Sequence, residues 1–162
     1  MFIAALCLIA TGAGAQDLLK SVNGAVRYNI DKNSYNQLGF EAGVTLGIAD
    51  RLEFVPAISY FVKNKGIRSW ELDADLHYNL FLGRSHKMAC YPIAGIAYKV
   101  WSQKIKTDDF DRISCNKLGF NVGAGASYDI TSEWAVRLEG KYQWFNHKFD
   151  RGCLGIGVSY KF

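Results

Sequence analysis

From Val22 to the last residue, apolar side chains recur at every second position in segments of about ten residues, and no other regularity in the chain constrains its fold as tightly. A period of two is a strand period, because successive side chains leave a pleated strand on opposite faces. The last segment is the clearest. Leu154, Ile156, Val158, Tyr160 and Phe162 share one face, and Cys153, Gly155, Gly157, Ser159 and Lys161 share the other. Before it, Trp134, Val136, Leu138, Tyr142 and Trp144 alternate with Arg137, Glu139, Lys141 and Gln143. Leu118 to Ile130 alternates with Lys117, Gly119, Asn121, Gly123, Gly125, Ser127 and Asp129, and Trp70 to Leu82 with Glu71, Asp73, Asp75, His77 and Asn79. Val22 to Ile30, Leu38 to Ile48 and Leu52 to Val62 carry Arg27, Glu41 and Glu53 on their polar faces. Met88 to Trp101 fits least well, since Pro92 removes one ladder donor. The count is about eight strands.

Connections alternate in length. Ala49-Asp50-Arg51, Gly83 to Lys87 and Thr131-Ser132-Glu133 are short, whereas Asp31 to Asn36, Lys63 to Ser69, Ser102 to Asn116 and Asn146 to Gly152 are longer. Short turns at one end and longer loops at the other suit an all-β, eight-stranded antiparallel up-and-down barrel with both termini on the short-turn side. At 162 residues, with two prolines, one such barrel uses nearly the whole chain.

Alternation alone also describes a water-soluble barrel, so the decision rests on which face points inward. A soluble barrel would enclose the Leu, Val, Tyr and Trp face and expose Gly39, Gly43, Gly47, Gly119, Gly123, Gly125, Gly155 and Gly157, where glycine only weakens a strand. The opposite solution turns the apolar face to lipid and packs glycines and charges into a narrow interior. Trp70, Tyr98, Trp101, Trp134, Tyr142, Trp144, Tyr160 and Phe162 concentrate toward strand ends, as lipid-interface rings do. A closed set of strands also pairs every backbone group, which a membrane demands. The interior then holds a network of mixed charge: Arg27, Glu41, Glu53, Asp73, Asp75, Lys99, Asp129, Arg137, Glu139 and Lys141. A turn centred near Ser34 sets Arg27 opposite Glu41, and one centred near Ser132 brings Asp129 diagonally close to Arg137. Buried ions need such partners. The same groups could instead line a narrow passive channel for small solutes.

The first fifteen residues read differently. Phe2 to Ala10 is an apolar run followed by Thr11-Gly12-Ala13-Gly14-Ala15, the form of a signal peptide over residues 1–15, with the barrel domain over 16–162. No basic residue precedes the run, and Leu6 before Cys7 argues against a lipid anchor. Removal of that leader leaves Cys90, Cys115 and Cys153, an odd number. Cys115 and Cys153 both adjoin expected surface loops and are the pair to consider for a bridge, with non-adjacent strands as the obstacle. No cysteine or histidine spacing matches a metal site, and no cofactor is expected. A formal net charge of +4 singles out no nucleic-acid partner.

The ending Val158-Ser159-Tyr160-Lys161-Phe162, with apolar Val158, Tyr160 and Phe162 on one face, looks like the assembly signal of outer-membrane barrels. With the leader and the repeat, the mature chain resembles the small OmpA-like and OmpX-like barrel family. That resemblance implies residence in the outer membrane of a Gram-negative bacterium, among its lipids, after insertion by the barrel assembly machinery. It also implies a sealed or nearly sealed lumen and a structural or surface-interaction role. No peptidoglycan-binding domain follows Phe162, so cell-wall tethering is not expected. Some eight-stranded barrels modify lipid A with His and Ser near the outer rim. Here His77 is expected inside, His86 on a short turn and His147 in a loop without a serine beside it, so no enzyme is expected. The Ser102 to Asn116 loop, with Lys104, Lys106, Asp108, Asp109, Asp111 and Arg112, is the best candidate for contact with an extracellular ligand.

Overall fold

The computed structural model of the chain describes residues 18–31, 36–64, 66–82, 87–103, 113–145 and 150–162. Among the described residues there are nine strands: β1 (Leu19–Asp31), β2 (Gln37–Gly47), β3 (Leu52–Asn64), β4 (Ile67–Tyr78), β5 (Leu80–Leu82), β6 (Met88–Gln103), β7 (Ile113–Asp129), β8 (Trp134–Trp144) and β9 (Arg151–Lys161). Only Asn79 separates β4 from β5. Its backbone N–H donates to the Arg51 carbonyl at 2.8 Å, so the two run as one stave. Neighbouring strands pair antiparallel in chain order, β9 returns to β1, and β4 pairs directly with β6. The result is a closed barrel of eight staves with no free edge.

Apart from Leu19 opposite Leu46 and Asn64 opposite Ile67, where the register shifts, paired residues share parity and odd-numbered residues face odd-numbered ones. Arg27 lies opposite Gly39, Gly39 opposite Phe61, Phe61 opposite Ser69, Glu71 opposite Lys99, Asn121 opposite Gln143 and Gln143 opposite Arg151. One parity therefore faces the interior all the way round. Ile156 is 64% exposed and Phe120 65%, whereas Arg27 is 2% exposed and Lys99 is fully buried. The apolar faces form the outer wall and the charges the core, the reverse of a water-soluble barrel. Met88–Gln103, the weakest segment in sequence, obeys the same parity: Tyr91, Ile93, Ala97 and Lys99 are buried and Pro92, Ala94, Ile96 and Tyr98 exposed.

Glycine makes room where staves crowd. A Cβ on Gly123 would press on the Gly140 carbonyl oxygen and, at 2.8 Å, on the Lys141 Cα, which are backbone atoms that cannot swing aside. Gly24, on the outer face, has open space around the same position. Gly123→Val is therefore expected to lower unfolding free energy by about 1 to 3 kcal/mol, while Gly24→Ala stays within about 0.5 kcal/mol of the parent. Urea midpoints of the folded protein in lipid vesicles check the pair.

Two of the three short turns match expectation, the third, Gly83 to Lys87, lying mostly outside the described residues: Ile48 N–H donates to the Leu52 carbonyl and Ile130 N–H to the Trp134 carbonyl, both at 2.9 Å, and Thr131 Oγ1 accepts from Trp134 N–H at 3.0 Å. Leu18 and Phe162 lie at this same end. The stretch from Lys63 to Ser69, expected as a long loop, is instead mostly strand. Gly66 takes a φ of 87°, so the chain reverses between Asn64 and Ile67. Cys115 is exposed on β7 and Cys153 is buried on β9, with β8 between them, and both are free thiols, as is Cys90. The leader at residues 1–15, His86, His147 and positions 104–112 of the long loop lie outside the described residues.

Candidate functional site: the charged barrel interior

Inward parity brings side chains from all eight staves onto one axis, where they settle in three tiers. In the middle tier, Arg27 Nη1 donates to Asp73 Oδ2 at 2.5 Å and to Ser59 Oγ at 3.1 Å, and lies 2.6 Å from Glu41 Oε2. Lys141 Nζ donates to Asp75 Oδ2 at 2.6 Å and stands 3.6 Å from Asp73 Oδ2. Asn121 Nδ2 bridges the two aspartates, at 3.0 Å from Asp73 Oδ1 and 2.8 Å from Asp75 Oδ1. Two carboxylates on one strand face would repel. Here each has its own cation and a shared amide.

Toward the loop end, Glu71 gathers four partners. Its Oε2 accepts from Arg151 Nη2 and lies 3.6 Å from Lys99 Nζ, while its Oε1 accepts from Gln143 Nε2 at 2.8 Å and lies 3.7 Å from Arg27 Nη1. Gln143 also receives Arg151 Nε at 2.7 Å and donates to Asn121 Oδ1 at 3.0 Å, which links this tier to the one below. Rings roof the cluster: Lys99 Nζ sits 4.4 Å from the Phe61 centroid, and the Arg151 guanidinium 5.0 Å from that of Phe145.

Toward the short-turn end, Arg137 pairs with Glu139, and Tyr91 Oη donates to Glu139 Oε1 at 2.9 Å while accepting from Arg137 Nε at 3.2 Å. His77 stacks on Tyr91 with centroids 4.8 Å apart, its Nδ1 3.4 Å from Arg137 Nη2. A guanidinium only donates, so that contact makes Nδ1 the acceptor. Below this floor a vestibule of about 470 Å³ opens at the short-turn end. Its walls carry two ion pairs, Lys20 with Glu53 at 3.3 Å and Lys161 with Asp129 at 2.6 Å.

The ten network residues read from sequence thus fall into two groups. Arg27, Glu41, Asp73, Asp75, Lys99, Arg137, Glu139 and Lys141 join the tiers, whereas Glu53 and Asp129 line the vestibule. Two details differ from expectation. Arg27 stands opposite Gly39 and reaches Glu41 on the diagonal, because the first hairpin's register centres one residue earlier. The β7–β8 turn does centre on Ser132 and sets Asp129 diagonal to Arg137, but Asp129 forms its ion pair with Lys161, while the Arg137 guanidinium is held by Glu139 and by Tyr91 from β6. Sequence reasoning missed Arg151, Tyr91 as a polar member, and Lys20. One further step of the β9 alternation reaches Arg151. Lys20 is turned inward by a register shift between Leu19 and Ser21, which no period reveals. On the outer wall, Val158 and Phe162 are exposed, and Tyr160 packs edge-on against Trp134 at 5.1 Å and Phe162 at 5.5 Å.

Five cations (Arg27, Lys99, Arg137, Lys141, Arg151) thus face five carboxylates (Glu41, Glu71, Asp73, Asp75, Glu139) within one connected interior. In number the two signs balance. Among the described residues no group of three or more His, Cys, Asp or Glu side chains is arranged to hold a metal ion.

The family described as outer membrane protein beta-barrel domain matches residues 6–162. No curated protein matches the chain. Among solved structures, Neisserial surface protein A aligns with a TM-score of 0.72 at 15% identity, covering 90% of this chain and 97% of that one. The N-terminal β-barrel domain of Pseudomonas aeruginosa OprF aligns at 0.66 and 18% identity, covering 88% and 98%. Ail, the attachment invasion locus protein of Yersinia pestis, aligns at 0.64 and 11% identity, covering 90% and 99%. At these identities the likeness speaks for the fold.

Proposed function

Because the chain belongs to the outer membrane protein beta-barrel domain family, we propose that it serves as a sealed barrel with a structural or surface-interaction role, and that it neither conducts solutes nor catalyses a reaction. It is a transmembrane barrel of the Gram-negative outer membrane. One observation carries the sealed reading. The interior charges are spent on one another: Arg27 is 2% exposed between Glu41, Glu71 and Asp73, and Glu71 is fully buried among Arg151, Gln143, Lys99 and Arg27. An ion crossing the lumen would have to break several buried pairs at once, each costly to leave unpaired. His77, Tyr91 and Arg137 line the vestibule at the short-turn end, between it and the middle tier, which supports the same reading.

Contact with the outside then falls to the loops. Of the Ser102 to Asn116 segment expected as a loop, Ser102–Gln103 and Ile113–Asn116 are paired strand, because β6 and β7 continue beyond their neighbours, and the connection between them, positions 104–112, is the proposed extracellular contact. Val158, Tyr160 and Phe162 are the proposed face read by the barrel assembly machinery. The lipid-modifying alternative needs a histidine at the outer rim; among the described residues the one histidine, His77, is buried against Tyr91 inside the barrel, and His147 lies outside them. Reconstitution of the folded protein into planar bilayers tests the sealed reading. No steady single-channel conductance is expected in molar potassium chloride. A reproducible open state would assign the narrow-channel function instead, and a changed lipid A mass on expression would assign the enzyme.

A further inference from the structure

Along the described staves the outer wall carries exposed charge in one place. Among the described residues, the exposed charged side chains that lie inside strands are Lys63 of β3 and Arg68 of β4, and both sit at the loop end of the same hairpin. The other exposed charges, Asp50, Arg51, Lys87 and Glu133, belong to the short turns at the opposite end.

Their adjacency is built into the backbone. Phe61 pairs with Ser69 and Asn64 with Ile67, so Val62 and Lys63 together face the single residue Arg68. Such a bulge, two residues against one, breaks the alternation and re-aims a side chain. Strict parity would send Lys63 into the lumen, yet it is exposed, as are Val62 and Arg68. The hairpin end is braced by β2: Ser69 Oγ donates to Gln37 Oε1 at 3.0 Å, and Gln37 Nε2 donates to the Ile67 carbonyl at 3.1 Å. Two residues below Arg68, about 7 Å along the strand, Trp70 faces outward opposite Tyr60, their ring centroids 4.7 Å apart.

Aromatic pairs of this kind lie at the boundary between acyl chains and headgroups. One step beyond, two cations occupy the headgroup level, and among the described residues no carboxylate pairs with either. A guanidinium beside a lysine matches a phosphate, which Arg can grip with two parallel N–H donors. A charge at the lipid boundary calls for a counter-ion, and in a membrane the lipid itself supplies one. We infer that the outward end of the β3–β4 hairpin, with Lys63 and Arg68 above the Tyr60–Trp70 shelf, is a binding site for the phosphate of an anionic outer-leaflet lipid. The site is independent of whether the lumen is sealed.

The test is lipid retention by the folded full chain in neutral micelles, read by mass spectrometry of the intact complex, with diphosphorylated lipid A and its dephosphorylated form as probes. The parent is expected to retain the phosphorylated form about tenfold over the other, and the Lys63→Gln/Arg68→Gln variant to lose that preference, as removal of a charge-assisted contact implies. Arg51→Gln, at the opposite end, should match the parent. Gel mobility with and without boiling confirms that each variant is folded, and single Lys63→Gln replaces the double variant should the latter misfold. Equal retention by parent and variant overturns the inference. So does displacement of the lipid by inorganic phosphate, which would assign a soluble anion. A variant that loses binding of a soluble sulfated polysaccharide while keeping the lipid overturns it as well.

Discussion

Arg27→Met is expected to lower the unfolding free energy by about 3 to 5 kcal/mol, the penalty of removing one partner from a buried ion cluster. Arg27 is the cation shared by Glu41, Asp73 and Glu71, at 2.6, 2.5 and 3.7 Å. Its loss takes one cation from three carboxylates and leaves a shorter, apolar side chain that cannot donate. Lys141 still serves Asp73 from 3.6 Å, and Lys99 and Arg151 still serve Glu71, so Glu41 is left the most exposed electrostatically. A second substitution, Glu41→Gln, should therefore recover part of the loss in the Arg27→Met background while destabilising the parent. Urea unfolding in lipid vesicles, followed by tryptophan fluorescence, reads both. A loss under about 1 kcal/mol, the size of an exposed pair, would mean that water already screens the middle tier, and the sealed lumen would fall with it.

The barrel and its orientation were legible because one rule, apolar at every second position, holds through all eight staves, and an eight-stranded barrel has no other interior in which to place Glu71, Asp73 and Asp75. Charge position along each strand was legible for the same reason. Partners were less so. Sequence spacing reveals neighbours across a hairpin, such as Arg27 and Glu41, but Arg27 with Asp73 and Gln143 with Glu71 meet across the lumen from staves that are not adjacent. Which residues face each other there depends on the relative heights of all eight staves, a quantity set by closure and not by any local pattern.

Departures from the period account for the rest. At Lys20 and Lys63 a register shift overrides alternation, and the first side chain lines the vestibule while the second stands outside. The Lys63 to Ser69 segment looked like a loop because the bulge broke its pattern, although Ser69 is fully buried in β4 and the chain turns at Gly66. Arg151 lies one inward step beyond Cys153, where the apolar partners of the β9 alternation give out although the strand continues to the guanidinium that holds Glu71.

The second large effect concerns the outer wall, and it bears on the claim from which everything else follows. Ile156 is 64% exposed midway along β9, flanked by Val26 of β1 and Leu138 of β8. In water, an arginine at so exposed a position would be tolerated within about 0.5 kcal/mol. Facing the hydrocarbon, it must desolvate its charge or thin the bilayer around it, a cost of about 2 to 4 kcal/mol near the midplane of a barrel wall. The deciding measurement is the unfolding free energy of Ile156→Arg against the parent, both folded into phosphatidylcholine vesicles. A deficit of about 2 kcal/mol or more is the result expected of a wall that meets lipid. An arginine variant as stable as the parent would contradict it.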